Sequence, residues 1–204
     1  MEPNEHVATE LDAAMVEVDR LAHTVGELLA LSRAGERRVA GAEVELDDLV
    51  AAAAERWRAT AVGRGIDLVW SHEGGGSAWV ARADAERALD ALIENAMNYS
   101  PYGSTVELVS ASGRIEVRDR GPGVAEDERD AVFERFHRGR AGTAGPPGSG
   151  LGLSIARELA RDWDGEVTLE NRAGGGAVAT LALGTRTDGP GALPALNPTP
   201  SSLP

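Results

Sequence analysis

Residues 114–123 read Arg-Ile-Glu-Val-Arg-Asp-Arg-Gly-Pro-Gly and join a predicted strand to a glycine-rich loop. Alternation with a period of two places Ile115, Val117 and Asp119 on the inward face of that strand. A carboxylate directed inward needs a partner, because a buried ionised group is costly without one. The partner is either a planar ligand with an exocyclic amine, such as adenine, or the loop that follows Asp119.

A second candidate site lies on the helix predicted over Ala83–Tyr99. At about 100° per residue its apolar side chains fill one arc, which consists of Ala88, Leu89, Leu92, Ile93, Ala96 and Met97. Asn95 falls at the edge of this arc, with Asn98 and Tyr99 beside it. A half-buried amide must find a hydrogen-bond partner. A cap or a neighbouring loop would supply one, and so would a ligand held by Asp119.

A third candidate site is the stretch Gly-Ser-Gly-Leu-Gly-Leu at residues 148–153, which leads into a helix predicted over Gly150–Asp162. Backbone amides at a glycine-rich helix N-terminus bind anions. The spacing is not the dinucleotide pattern G-x-G-x-x-G, and it is not the phosphate loop that ends in Gly-Lys. Taken alone, such a cluster is also typical of a flexible linker.

Composition excludes several classes of protein. The chain has 204 residues, a net charge of −13 and 42% hydrophobic residues, and all 20 of its basic residues are arginines. This length suits one domain with extensions. The lack of cysteine excludes disulfides and thiolate sites, and the lack of lysine excludes a Walker lysine. We find no membrane span or signal peptide in the sequence, and the acidic balance argues against nucleic acid as a partner.

The other elements come in mixed order, which predicts one sheet covered on one face by helices. A long amphipathic helix is predicted over Val7–Ala34 and needs a partner helix or a second copy of itself. The tail 187–204 holds five prolines and is predicted to be disordered. Between these, we predict a helix over Asp47–Ala61 and strands at Val44–Leu46, Ile66–Ser71, Trp79–Ala81, Thr105–Ser110, Arg114–Asp119, Glu166–Asn171 and Ala177–Leu183.

These motifs, in this order, resemble those of the catalytic, ATP-binding domain of bacterial sensor histidine kinases. That domain belongs to the superfamily shared with gyrase, Hsp90 and MutL. The similarity covers about residues 10–185. Residues 174–180 resemble the closing glycine turn and strand, and residues 17–33 resemble the second helix of the dimerisation hairpin. The family's N box, D-x-G-x-G box, F box and second glycine box match residues 92–101, 119–123, 133–138 and 148–153.

The resemblance implies an α+β fold, a two-layer α/β sandwich of the Bergerat type preceded by one long helix. It divides the chain into part of a dimerisation hairpin at residues 1–36, an ATP-binding catalytic domain at 42–186 and the disordered tail at 187–204. A cytoplasmic location is expected, with any membrane anchor outside this chain.

By the same resemblance, Asp119 would accept from the adenine amine, Tyr99 would lie against the base or ribose, and Asn95 would coordinate Mg²⁺. The loop at 137–149 would be a lid, and arginines near it (Arg129, Arg135, Arg138 and Arg140) would offset the charge of ATP. The implied nucleotide-binding set is Asn95, Asn98, Tyr99, Asp119, Gly121, Gly123, Arg138, Arg140, Gly148, Gly150, Leu151, Gly152 and Thr180.

The implied function is transfer of the γ-phosphoryl group of Mg·ATP to a histidine on a dimerisation hairpin, and then to a response regulator. A homodimer through the N-terminal helix is expected. The sequence departs from the family at Ala91, where a second Asn is usual, and at Asn98, where Lys or Arg is common. These departures keep open an alternative, a nucleotide-binding regulatory module such as an anti-sigma-like protein or a degenerate kinase.

The acceptor histidine is expected on another polypeptide or on a preceding region, since the sequence has no H-E-x-x-[TN]-P-type box. Its four histidines do not replace that box. Each is interpreted as an ordinary exposed or packed side chain; they are His6, His23, His72 and His137.

Overall fold

The computed structural model describes residues 40–137 and 149–185. The helix predicted over Val7–Ala34 and the segment 1–36 therefore lie outside the described residues. The same is true of most of the predicted lid and of the tail 187–204. The described residues fall almost entirely within the stretch 42–186 that we predict to be one domain.

Seven strands and three α-helices follow one another along the described residues. None of these helices combines the length and the apolarity that crossing a bilayer requires. The helices are α1 (Leu46–Gly63), α2 (Arg82–Tyr99) and α3 (Gly152–Arg161), and two single 3-10 turns occur at Glu126–Glu128 and Ala131–Phe133. The strands are β1 (Ala42–Glu45), β2 (Asp67–Glu73), β3 (Ser77–Val80), β4 (Thr105–Ala111), β5 (Arg114–Arg118), β6 (Glu166–Asn171) and β7 (Ala177–Ala182).

Five strands form one mixed sheet in the order β2-β4-β5-β7-β6. Strands β2 and β4 are parallel, and every other neighbouring pair in this sheet is antiparallel. The hairpin predicted between β4 and β5 is confirmed, with Leu108 opposite Val117. Strands β1 and β3 form a separate antiparallel pair. The predicted fold class, a mixed sheet with helices on one face, is confirmed.

The core lies between the helices and one face of the sheet. On the inner strands β4, β5 and β7 the residues of this face are buried, and the arc predicted for α2 is buried in full. The opposite face of the sheet carries charged pairs, for example Arg118 Nη2 with Glu116 Oε2 at 2.7 Å. The buried strand residues include Val106, Leu108, Ile115, Val117 and Leu181.

Most predicted boundaries agree with the structure within two residues, and the differences have local causes. Ile66 does not begin β2, because its N–H donates back to the Ala61 carbonyl at 2.9 Å in a turn that ends α1. Gly150 does not belong to α3, because its φ of 72° lies outside the helical region. Leu46, predicted in a strand, is the first residue of α1.

The two ends of the described domain meet at one corner, beside two indole rings. Trp79 N–H donates to the Gly184 carbonyl at 3.0 Å, and Gly184 N–H donates to the Trp163 carbonyl at 3.1 Å. The backbone of Gly41 lies so close to both indoles that a Cβ there would be 2.5 Å from the Trp163 ring. Trp163 Nε1 donates to Asp84 Oδ2 at 3.0 Å, which joins this corner to the first turn of α2.

Candidate functional site

Asp119 follows the last residue of β5 and is buried on the same side as Ile115 and Val117, as predicted. Its N–H donates to the Ala177 carbonyl at 2.9 Å, and Ala177 N–H donates back to Asp119 Oδ1 at 3.1 Å. Gly121 N–H also donates to Oδ1, at 2.7 Å. Oδ2 accepts no hydrogen bond from any described residue. One oxygen therefore forms the turn, and the other is left for a ligand donor.

The electrostatics of Asp119 also favour a ligand. Burial raises the pKa of its carboxyl above the ordinary value of 3.8, and the hydrogen bonds from Gly121 and Ala177 and the charge of Arg172 offset this only in part. The raised pKa shows that the ionised carboxylate is less well stabilised here than in water. A donor that binds Oδ2 would supply part of the missing stabilisation.

The loop after Asp119 is held by hydrogen bonds to Asn171, the last residue of β6, and to Arg172, which follows it. The Asn171 side chain binds the backbone of Val124 twice: Val124 N–H donates to Oδ1 and Nδ2 donates to the Val124 carbonyl, both at 2.8 Å. Gly123 lies against the same amide, where a Cβ would be 2.5 Å from Asn171 Oδ1. Arg172 Nη1 donates to the Asp119 carbonyl at 3.3 Å. These contacts hold the Asp119 loop at one position relative to the sheet.

Gly121 joins the Asp119 loop to the end of α2. A Cβ on Gly121 would lie 2.8 Å from the Tyr99 carbonyl oxygen, so only glycine allows this approach. The half-buried Tyr99 is thereby brought beside the loop that carries Asp119. The predicted pairing of Tyr99 with Asp119 at one end of a site is consistent with this contact.

At the other end of the site, α2 meets the start of α3. Gly152 lies against Ala91, and a Cβ on Gly152 would be 3.9 Å from the Ala91 methyl group. Asn95 is one helical turn beyond Ala91, and its side-chain amide makes no hydrogen bond to any described residue. The cap or loop partner considered for Asn95 is therefore absent from the described part of the chain. The last two turns of α2, about 12 Å long at 1.5 Å per residue, link the α3 terminus to the Asp119 loop.

The first turn of α3 presents backbone donors. The Gly150 carbonyl accepts a hydrogen bond from Phe136 N–H at 3.0 Å, and Leu151 N–H donates to Ser149 Oγ at 3.2 Å. The first backbone bond into the helix is from Ile155 N–H to the Leu151 carbonyl, at 2.9 Å. The amides of residues 152–154 have no acceptor among the described residues, which is the arrangement that binds anions.

Asn98 lies in the last turn of α2, at the Asp119 end of the site, and its side chain is engaged. Arg64 Nη1 donates to Asn98 Oδ1 at 2.6 Å, from the end of α1. The resemblance leads us to expect a cation at this position. The residue present is a neutral amide, and the guanidinium of Arg64, at the end of α1, donates a hydrogen bond to it.

Other predicted residues are not brought to this site. Thr180 faces the opposite side of the sheet, across from Glu116 and Thr168, because β7 alternates and places Ala177 and Ala179 on the Asp119 side. We therefore remove Thr180 from the candidate site. Arg138, Arg140 and Gly148 lie outside the described residues.

The 3-10 turn at Ala131–Phe133 packs against α3. Arg135 Nη2 pairs with Glu158 at 2.9 Å, so its charge is offset and it is not one of the open cations that the sequence suggests. The Arg157 guanidinium lies 4.4 Å from the centre of the Phe133 ring. The Nε2 atom of His137 is buried and has no hydrogen-bond partner among the described residues.

Three residues that shape the site were not found from the sequence: Asn171, Arg172 and Arg64. Asn171 is the last residue of β6 and Arg172 follows it, and the residues Asn-Arg shortly before a run of three glycines give the only local signal. Their partners are 47 or more residues away in the chain.

The described residues include no cluster of three or more His, Cys, Asp or Glu side chains that could hold a metal ion. Asn95 offers one neutral oxygen. A cation at this site would therefore take most of its ligands from a bound anion and water, which is the usual way in which Mg²⁺ is held beside phosphates.

Comparison with known proteins gives one matching family, described as histidine kinase-, DNA gyrase B-, and HSP90-like ATPase, over residues 81–187. This region includes α2, the Asp119 loop, α3 and the strands β4 to β7.

The chain is similar to the sensor-like histidine kinase SenX3 of Mycobacterium tuberculosis, with 34% identity over 179 residues. The match covers 84% of this chain and 44% of SenX3, so the chain spans less than half the length of this relative. Among solved structures, full-length ShkA in complex with AMPPNP has 26% identity and a TM-score of 0.70, over 87% of this chain and 39% of ShkA. The mycobacterial sensor histidine kinase MprB has 26% identity and a TM-score of 0.60, over 70% of this chain and 96% of that structure.

Proposed function

Because the chain belongs to the histidine kinase-, DNA gyrase B- and HSP90-like ATPases, we propose that it is the ATP-binding catalytic part of a sensor histidine kinase. One observation carries the proposal: α2 links Asp119 to the first amides of α3, and neither Asp119 Oδ2 nor these amides have a hydrogen-bond partner among the described residues. These two ends match the two chemical ends of ATP, a base with an exocyclic amine and a chain of phosphates.

In this proposal, Asp119 Oδ2 accepts a hydrogen bond from the adenine amine, and Tyr99 lies beside the base or ribose. The amides of residues 152–154 donate to phosphate oxygens, where the helix dipole also favours negative charge. Gly121 and Gly123 let the Asp119 loop pack against Tyr99 and Asn171, which holds Asp119 in place for the base. The backbone of Gly150, Leu151 and Gly152 would lie against the phosphates.

Asn95 would hold Mg²⁺ together with the phosphates and water, and the ion would neutralise charge that develops on the phosphoryl group. The remaining work of the site is to bind and orient the nucleotide. No nucleophile is required from it, because the attacking group is a histidine of the partner hairpin.

The proposed reaction is a phosphoryl transfer. A ring nitrogen of the acceptor histidine forms a bond to the γ-phosphorus as the bond to the β,γ-bridging oxygen breaks, and ADP leaves. The phosphoryl group then passes to a carboxylate of a response regulator. We propose that the acceptor lies on a dimerisation hairpin, supplied by another polypeptide or by a further region of the same protein, and that the protein acts as a homodimer.

A phosphoryl-transfer assay tests this function. The chain is mixed with a dimerisation hairpin that carries the acceptor histidine, Mg²⁺ and ATP labelled at the γ-phosphate. We expect acid-labile label on the hairpin and none with Asp119→Asn. ATP binding without any phosphohistidine would contradict the kinase and support the nucleotide-binding regulatory module in its place.

A further inference from the structure

The hydrogen bond from Arg64 to Asn98 joins the end of α1 to the candidate site. Arg64 is the C-cap residue of α1, and its Nη1 lies 2.6 Å from Asn98 Oδ1. Asn98 is one turn along α2 from Asn95 and directly precedes Tyr99. Side chains three residues apart on a helix are neighbours, so the guanidinium lies beside the proposed contact for the phosphate-bound Mg²⁺, at Asn95, and the proposed contact for the base or ribose, at Tyr99.

The position of Arg64 is fixed by the way in which α1 ends. Gly65 N–H donates to the Val62 carbonyl at 3.0 Å, and Ile66 N–H donates to the Ala61 carbonyl at 2.9 Å. With Gly65 at a φ of 63°, these bonds form a Schellman motif, which stops a helix at a defined residue. Ala61 and Ile66 are both buried, which is the apolar contact that accompanies the motif.

The same turn is tied to the end of α2. Gly103 N–H donates to the Gly65 carbonyl at 2.8 Å, and the Tyr102 ring covers Gly65 so closely that a side chain there would overlap it. Arg64 therefore does not depend on its own long side chain alone to reach Asn98. The backbone of both loops brings the two residues together.

The charge of Arg64 is not offset within the described part of the chain. No described carboxylate lies within ion-pair distance of it, and its partner Asn98 is a neutral amide that accepts one hydrogen bond. Its other N–H donors and its full charge are left for an anion, in a chain with a net charge of −13. Most arginines of the described part do have a carboxylate partner: Arg56, Arg58, Arg82, Arg114, Arg118, Arg120, Arg135, Arg157, Arg161 and Arg172.

We propose that Arg64 binds the phosphates of the nucleotide, and that Asn98 is a positioning residue that holds the guanidinium in place. This inference rests on the proposed function, because it requires a nucleotide at Asn95 and Tyr99. A planar guanidinium with several donors matches phosphate oxygens in geometry as well as in charge. Asn98, predicted from the sequence as a nucleotide contact, then acts through Arg64.

Titration calorimetry on the full chain, with ATP, ADP and adenosine at fixed Mg²⁺ and salt, tests the proposal. We expect Arg64→Gln to weaken ATP and ADP binding about tenfold, the effect of one charge-assisted hydrogen bond, and to leave adenosine binding unchanged. The matched control is Arg58→Gln, which removes the same charge from the same helix at an exposed pair with Glu55 and is expected to change none of the three affinities.

A second variant moves the cation from one helix to the other. Arg64→Gln combined with Asn98→Arg is expected to restore ATP affinity to within about threefold of the wild type, because the charge returns to the same place. An equal loss for adenosine and ATP in Arg64→Gln would overturn the proposal, since it would mean a purely structural role. If Asp119→Asn lowers ATP affinity and Arg64→Gln does not, the role of Arg64 is overturned and the proposed function stands. A wild-type chain that binds no ATP would overturn the proposed function itself.

Discussion

Asp119 and Ala177 exchange two hydrogen bonds: the Asp119 N–H donates to the Ala177 carbonyl at 2.9 Å, and the Ala177 N–H donates to Asp119 Oδ1 at 3.1 Å. The side chain thus replaces one backbone acceptor at the point where β5 leaves the sheet. Since Oδ1 already accepts two hydrogen bonds, we propose that Oδ2 is the oxygen that recognises a ligand.

Asp119→Asn is expected to lower ATP affinity by more than a factor of ten. The Asn oxygen can keep the bonds to Ala177 and Gly121, but an NH₂ group then replaces Oδ2 and opposes the donor of the base. Titration calorimetry measures the loss, and circular dichroism serves as the control for folding. An unchanged dissociation constant would show that adenine is not bound there.

The same variant is expected to be more stable than the wild type at neutral pH. Burial raises the pKa of Asp119, so the folded state binds a proton more readily than the unfolded state, and stability is lost as pH rises through the raised pKa. Asn carries no such charge. The difference in the free energy of unfolding, measured in urea, should shrink as pH falls towards the ordinary value of 3.8. A difference that does not vary with pH would contradict this explanation.

Asn95→Ala is expected to abolish the Mg²⁺ dependence of ATP binding, because Asn95 is the one protein oxygen that we assign to the ion. ATP affinity is measured with Mg²⁺ and with EDTA, for the variant and the wild type. Asn95→Asp, which keeps an oxygen at this position, serves as the control and should retain the dependence. Equal wild-type affinities under both conditions would show that the ion is not bound with the nucleotide.

Gly121→Ala is expected to cost about 1–3 kcal/mol of stability, since the new Cβ would lie 2.8 Å from the Tyr99 carbonyl and force the loop away from α2. ATP binding should weaken with it. Gly63→Ala is the matched control: it is in the last turn of α1 with nothing within 4 Å, and it should be neutral or stabilising. Urea denaturation measures the free energy of unfolding of both variants. A loss in Gly121→Ala alone indicates strain at that position, whereas an equal loss in both variants would contradict this explanation.

Asn171→Ala is expected to destabilise the domain by about 1 kcal/mol, the net value of two partly exposed hydrogen bonds to Val124. It should also weaken ATP binding, because the Asp119 loop loses its clamp. Asn171→Asp keeps the acceptor for Val124 N–H, so its free energy of unfolding should fall by less than that of Asn171→Ala. If neither variant changes the midpoint of unfolding, the clamp does not hold the loop.

The sequence predicts those parts of the site that depend on local periodicity. The inward direction of Asp119 follows from alternation with Ile115 and Val117, and the buried arc of α2 follows from its 3.6-residue repeat. Thr180 was misassigned because β7 is apolar on both faces, so its pattern does not reveal which residues face the site. The contacts of Arg64 with Asn98 and of Asn171 with Val124 join residues 34 and 47 positions apart, and no local pattern encodes such pairings.

The corner formed by Gly41, Trp79, Trp163 and Gly184 has a practical consequence. It touches α2 at Asp84, and the candidate site begins at Ala91 and extends to Tyr99, up to about 22 Å further along the same helix. The first and last residues of the described domain, 40 and 185, therefore lie near the end of α2 that is farther from the candidate site. A label attached at the exposed Thr185 should therefore leave the candidate binding face open for the titrations.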